Sequence, residues 1–488
     1  MKYIIGIDQS TQGTKAVLFD QTGQRIARAD KPHRQLINEK GWISHDPEEI
    51  YQNVLETVER VIGQAKVPPG DIEAVGISNQ RETTVMWDAE GVPCQNAVVW
   101  QCARAAQITE RMSAETEKIY DRTGLPLSPY FPAAKMEWLL ENGSVSAKKG
   151  IHLGTVDSWL VYKLTGGTNF KTDYSNASRT QLFNIHTLQW DEELCRLFGV
   201  DRRMLPEVCD SNSCFGETDF DGILERKIPI HAVLGDSHGA LFGQGCYDKG
   251  MIKATYGTGS SVMMNTGSQC VRSRCGLATS LAWGMDGRVT YVLEGNINYT
   301  GAVVSWLKED VKLIASAQET EELAAQANPE DETVLIPAFS GLSAPYWIND
   351  AKAVLTGMSR TTGRAEIVKA ALDSIVFQIA DVVEAMEREC GIKVRTLRTD
   401  GGPTKNAWLM QRQSDVCGCT VQTAEREELS ATGAAYMAGL AAGLCDRQTL
   451  AECISYRTYV PVEDDGCEKS RARWKKAIAG MTGGGITE

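Results

Sequence analysis

Two periods of hydrophobicity take turns along this chain. "YIIGID" (3–8) and "KAVLFD" (15–20) are apolar runs of strand length joined by a polar loop, and they predict a hairpin. "QRIARAD" reads as a third strand. "SHDPEEIYQNVLETVERVI" then shifts to a helical period, with Asp46 as cap, Pro47 in the first turn and Glu49 completing a capping box. Strand-like segments return at 72–78 and 83–88. In the second half, apolar residues at 368, 371, 372, 375, 379, 382 and 386 predict one long amphipathic helix over 366–389. "VRTLRTDGG" and "PTKNAWLMQRQSDVCG" predict a strand, a glycine turn and a helix. "LSATGAAYMAGLAAGL" predicts another helix, with Gly433 and Gly439 inside it, a cost to stability unless something packs closely there. The alternation of strands and helices indicates an α/β fold.

Length changes this picture from one domain to two. A chain of 488 residues exceeds one ordinary core, so two large domains of roughly 200 to 250 residues are expected. Apolar residues make up 42% and charged residues 23%, the balance of a folded globular chain. No apolar stretch is long enough to cross a bilayer, and "MKYIIGIDQ" reaches Asp8 too early for a signal peptide. A net charge of −13 argues against nucleic acid as a partner. The 14 cysteines lack metal-like or redox spacing, the nearest approach being "CGC" at 417–419; they read as free thiols of a reducing cytoplasm.

Candidate chemistry begins in the first loop. A two-residue hairpin turn would suffice between the strands, yet Ser10, Thr11, Gly13 and Thr14 all stand there. "TYGTGSSVMM" (255–264) repeats the pattern of strand, Gly-Thr turn and strand. Glycines and small hydroxyl residues let N–H and O–H groups converge on phosphate oxygens, so two such loops facing one cleft would clamp a phosphate chain. The P-loop pattern is missing. "DGGPTKN" (400–406) is either a plain glycine turn or a backbone seat for a nucleotide. Asp8 and Asp236 each end a strand-like run; either can be a helix cap or turn residue, or a group that holds magnesium or orients an acceptor hydroxyl. Arg81 and Glu82 are a surface ion pair or, with Trp100 and Tyr130, the donors, acceptors and aromatic wall of a polyhydroxyl site.

Taken together, "DQSTQGTKAV", "GISNQRETTVMW", "SPYFPAAKMEWLLEN", "SNASRTQLFNIHTLQW", "TYGTG", "GMSRTTGRAEIVKAALD" and "DGGPTKN" resemble the FGGY carbohydrate kinases, and within them the glycerol kinases, from about residue 3 to about residue 470. The resemblance implies two actin-like (ribonuclease H-like) domains, each with a βββαβαβ core, closing on a catalytic cleft. Residues 1–246 would carry the acceptor, the magnesium and the phosphate loop, and residues 247–488 the nucleotide. It implies ATP contacts at Thr11, Gln12, Gly13, Lys15, Thr258, Gly301, Ser305, Gly402 and Asn406, and acceptor contacts at Arg81, Glu82, Trp100, Tyr130, Asp236, Ser237 and Ser261. Asp236 would be the general base, and Asp8 with Asp236 would hold Mg2+. It further implies a cytoplasmic homo-oligomer, dimer or tetramer, acting on a small polyol or sugar.

The chain departs from that pattern at four site positions and one loop. Ser237 stands for a glutamine and Ser261 for a phenylalanine in the acceptor pocket, while Lys15 and Ser305 replace an arginine and a glutamine near the nucleotide. "DGILERKIP" (221–229) stands where a glycine-arginine loop for fructose bisphosphate would lie. Three readings stay open: a kinase of glycerol or a similar small polyol, a kinase of a larger polyol or ketopentose, and a non-kinase actin-like ATPase.

Overall fold

The structure, a computed structural model, describes residues 1–143, 150–348, 350–462 and 465–481. The two leading apolar runs form strands Tyr3–Gln9 and Gly13–Asp20, antiparallel, with Asp8 opposite Lys15. Arg25–Pro32 extends this meander, and Ile72–Asn79 and Ile228–Gly235 join on the other side in parallel. In register, Gln9 lies beside Asn79 and Asn79 beside Gly235. Three strands therefore end together at one edge of the sheet, the edge where parallel sheets receive ligands. A short strand, Glu217–Thr218, completes the six.

The second half repeats the plan. Ile252–Tyr256 and Ser260–Gly267 form the hairpin, Arg288–Ile297 pairs onto it, and Thr396–Asp400 and Thr420–Ala424 follow in parallel. Ala278–Met285 and Tyr456–Tyr459 close the two edges of this seven-stranded sheet. This duplicated β-meander with parallel additions is the two-domain actin-like architecture. A smaller five-stranded sheet, from Leu36–Ile37 to His152–Thr155, sits within the first half.

Helices cover the sheets where the apolar periodicity predicts. Helix Pro47–Ala65 starts as expected: Glu48 N and Glu49 N donate to the Asp46 carboxylate at 2.9 and 3.4 Å. The predicted reciprocal bond from Glu49 is replaced, because its carboxylate accepts from Arg34 N and Arg34 Nε. Helix Arg364–Cys390 buries Leu372, Ile375, Ile379, Val382 and Met386 in the second core.

Helix Leu429–Ala441 belongs to the second half in sequence but packs across the first sheet and against helix Asp236–Gly243. Here the glycines find their reason. A Cβ on Gly433 would lie 1.8 Å from Gly239 O, and one on Gly76 would lie 2.1 Å from Ala434 O. Backbone meets backbone at this crossing. It fixes the helix whose first residue is Asp236, and Ser430 Oγ donates to Asp236 O at 3.0 Å. No helix among the described residues is long and apolar enough to cross a membrane, and no disulfide forms among the described residues.

Candidate active site

The common strand edge brings three distant stretches together: Asp8 inside the end of the first strand, Arg81 and Glu82 just past Asn79, and Asp236 just past Gly235. Arg81 Nε lies 3.2 Å from Asp236 Oδ1, and Ser237 N donates to that same oxygen at 2.6 Å. Asp8, Lys15, Asp236, Ser237, Asp400 and Gly401 line one cavity of about 220 Å³. Burial holds the Asp8 carboxyl above the ordinary carboxylate range, while Lys15, 3.5 Å away, pulls it back. Asp8 Oδ1 is buried with no hydrogen-bond partner.

The loop after Asp8 is built for a close approach. Ser10 N and Ser10 Oγ both donate to Gly13 O at 2.9 Å, and a Cβ on Gly13 would lie 2.6 Å from Lys31 O. Thr11 Oγ1 accepts from Trp100 Nε1 at 2.9 Å, which ties this loop to the acceptor side. Trp100 and Tyr130 meet edge to face at 5.4 Å. Burial, with Glu82 nearby, raises the Tyr130 hydroxyl pKa, so it stays a neutral donor. Glu82 adopts φ 62°, a left-handed backbone uncommon for a side chain of this size, as strained residues at functional sites do.

Three site residues escape a reading of the sequence. Glu294, in the middle of strand Arg288–Ile297, takes Arg81 Nη1 at 3.0 Å and Arg81 Nη2 at 2.8 Å as a two-pronged pair. Arg179 joins the same carboxylate at 2.8 Å and donates from Nε to Glu82 Oε1 at 2.6 Å. Ser261 Oγ also donates to Glu294, at 3.0 Å. Burial opposes charge on Glu294, but Arg179 and Arg81 outweigh it and hold its pKa well below the usual range. The third is Lys135, wholly buried, whose ammonium donates to Tyr130 O and whose pKa burial pushes down to about 7. For Glu294 and Lys135 the signal available was an isolated charge among apolar neighbours, since a buried charge requires a partner; Arg179, among polar neighbours, carried none.

The nucleotide candidates gather in a second cavity, of about 370 Å³, lined by Gly301, Ser305, Gly402 and Asn406 with Val304, Leu372 and Leu409 as apolar wall. Asn406 also caps helix Ala407–Cys417, accepting from Leu409 N at 2.8 Å. Gly401, at φ 103° and with Tyr256 O only 2.0 Å from its missing Cβ, forms the turn between this cavity and the one holding Asp8. Thr258 lines neither; it is exposed, and its carbonyl accepts from Thr300 N and Ala302 N at the start of helix Gly301–Ser305. Gln12 is exposed at the tip of the first loop.

A site with an apolar nucleotide-sized cavity, a glycine turn and a carboxylate-lined cavity beyond it suits transfer of a phosphoryl group to an alcohol. Known proteins agree. The chain matches the FGGY family of carbohydrate kinases, N-terminal domain over residues 3–243 and C-terminal domain over residues 252–442. It is 44% identical to glycerol kinase 2 of Thermotoga maritima, covering 99% of each chain, and 43% identical to glycerol kinase of Caldanaerobacter subterraneus subsp. tengcongensis, covering 98% of each. The crystal structure of Plasmodium falciparum glycerol kinase with ADP superimposes with a TM-score of 0.92 at 35% identity, over 100% of this chain and 99% of that one. A ligand-bound xylulose kinase from Lactobacillus acidophilus shares the fold at a TM-score of 0.90, with 21% identity and 99% of both chains covered. The chain belongs to the FGGY family of carbohydrate kinases.

Proposed function

We propose that this carbohydrate kinase transfers the γ-phosphoryl group of ATP to a primary hydroxyl of glycerol, giving glycerol 3-phosphate and ADP. The observation that carries the reading is Asp236: a carboxylate at a strand end, paired with Arg81 and sharing one cavity with Asp8. Asp236 accepts the proton of the hydroxyl as its oxygen attacks phosphorus, and no covalent intermediate on the protein is required. Arg81, Glu82, Trp100 and Tyr130 hold the acceptor. Thr11, Gln12, Gly13 and Lys15 face the phosphates, while Gly301, Ser305, Gly402 and Asn406 seat the nucleotide and Thr258 acts from outside the cavity by holding the start of helix Gly301–Ser305. The domain boundary falls near 246/247.

The unpartnered Asp8 Oδ1 beside Asp236 fits a hard cation. Bound there with the nucleotide, Mg2+ would neutralise charge on the phosphate oxygens. Among the described residues no three His, Cys, Asp or Glu side chains enclose a metal alone, which suits an ion that completes its shell with phosphate and water. Cysteines outside any disulfide among the described residues support a cytoplasmic setting, and the family resemblance a homo-oligomer.

A four- or five-carbon polyol is the second reading, resting on the short Ser237 and Ser261 side chains. Because the Ser261 hydroxyl is committed to Glu294, Ser237 remains as the added contact, which favours glycerol. Family membership sets a non-kinase ATPase aside. The test is ADP release, coupled to a reporter, with three- to six-carbon polyols and ketoses. Glycerol is expected to give the highest kcat/KM; a ketose or longer polyol ahead of it overturns the choice of acceptor.

A further inference from the structure

Glu294 is a residue of the second sheet buried in the acceptor half, at 1% exposure. Arg81 Nη1, Arg81 Nη2, Arg179 and the Ser261 hydroxyl surround its two oxygens. An arginine offers five N–H groups. Glu294 takes one N–H from each Nη of Arg81, while Arg81 Nε faces Asp236 Oδ1 at 3.2 Å without making a hydrogen bond. Without Glu294, the planar fork of Arg81 would have Asp236 as its nearest unshared carboxylate. A forked pair there would occupy both oxygens of the group that must accept a proton. Beyond Ile297 the Glu294 strand leads to helix Gly301–Ser305, which lines the nucleotide cavity.

We propose that Glu294 is a positioning residue that acts through Arg81, keeping the guanidinium fork off Asp236 and turned for the acceptor. The inference rests on the reading of Asp236 as the base of a kinase. It assigns to the nucleotide half of the chain the job of orienting the acceptor arginine.

The test is a double-mutant cycle on the full-length protein. Glu294→Gln keeps shape and removes charge; Glu294→Asp keeps the charge that the two buried arginines require but shortens the reach, and serves if the first variant folds poorly. Arg81→Lys keeps charge and loses the fork. Each single change is expected to lower kcat about ten- to hundredfold, with KM for ATP within about twofold of wild type. Combined with Arg81→Lys, either Glu294 change is expected to add less than about twofold, because both act on one group. ADP affinity and thermal unfolding report folding separately. Near-normal kcat in a folded Glu294 variant, or losses that multiply with Arg81→Lys, overturns the proposal. If wild type phosphorylates no polyol or sugar, the proposed function fails, and the same cycle is read on acceptor-free ATP hydrolysis, where water takes the place of the hydroxyl.

Discussion

At the scale of single residues, Asp236 and Ser261 carry the sharpest expectations. Asp236→Asn keeps the contact with Arg81 in shape but cannot take a proton, so kcat should fall by about 10² to 10⁴. ADP affinity, set in the other cavity, should hold; near-normal turnover would mean another group is the base. From sequence, Ser237 and Ser261 are two shortened side chains of the acceptor pocket; in the structure Ser237 lines the cavity of Asp8 and Asp236, whereas Ser261 Oγ donates to Glu294. Ser237→Gln restores reach toward a glycerol hydroxyl and should raise kcat/KM for glycerol. Ser261→Phe strips a donor from buried Glu294, a loss of about 1–3 kcal/mol, and should lower kcat/KM even for glycerol. A gain in kcat/KM for the Phe variant would show that its ring finds room without disturbing the carboxylate. Arg81, Glu82 and Asp236 were legible because each stands in a local motif. Glu294 was not, since its partner Arg81 lies 213 positions away and only the packing of the two halves brings them together.

At the scale of elements, the periodicities were nearly sufficient. Strands and helices start and stop within a few residues of the apolar pattern, since burial of one face dictates both. The exception at Glu49 is instructive: Arg34 arrives from a loop and outcompetes the backbone of Asp46, a tertiary contact no local motif announces. The two glycines of helix Leu429–Ala441 signalled close packing but not its partner. Gly433→Ala places a methyl against Gly239 O and should cost about 1–3 kcal/mol, read as a lower melting temperature. It should also lower kcat, because helix Asp236–Gly243 must shift and would carry the proposed base with it. An unchanged kcat with a lowered melting temperature would show that Asp236 is held from the sheet side alone.

At the scale of the whole molecule, two sheets of common plan meet through shared apolar clusters, in which Met263, Ala282 and Val292 of the second join Val17 and Leu234 of the first, and through the buried pair of Arg81 and Glu294. Arg25 and Arg28, on the outer strand of the first half, both reach Glu428 at the root of the crossing helix. The proposed acceptor contacts lie mainly in one half and the proposed nucleotide contacts in the other, so on this reading chemistry requires the halves to meet around both ligands and exclude water. Small-angle scattering with a non-hydrolysable ATP analogue plus glycerol should give a smaller radius of gyration than the protein alone. An unchanged profile with both ligands bound would indicate that the halves are already closed. This two-half organisation was foreseeable from length and from the repeated Gly-Thr loops. The helix that belongs to one half and packs on the other was not, because its apolar face fits either sheet equally well on paper.

The glycine crossing also sets what natural drift and laboratory libraries can repair. At Gly439 an added methyl meets Ile4 Cδ1 and Cys445 Sγ, atoms at the tips of side chains that a second substitution can trim. At Gly433 it meets a main-chain carbonyl, which no second substitution can remove. Suppressor selections should therefore recover Gly439 variants through changes at Ile4 or Cys445, and return only true revertants at Gly433.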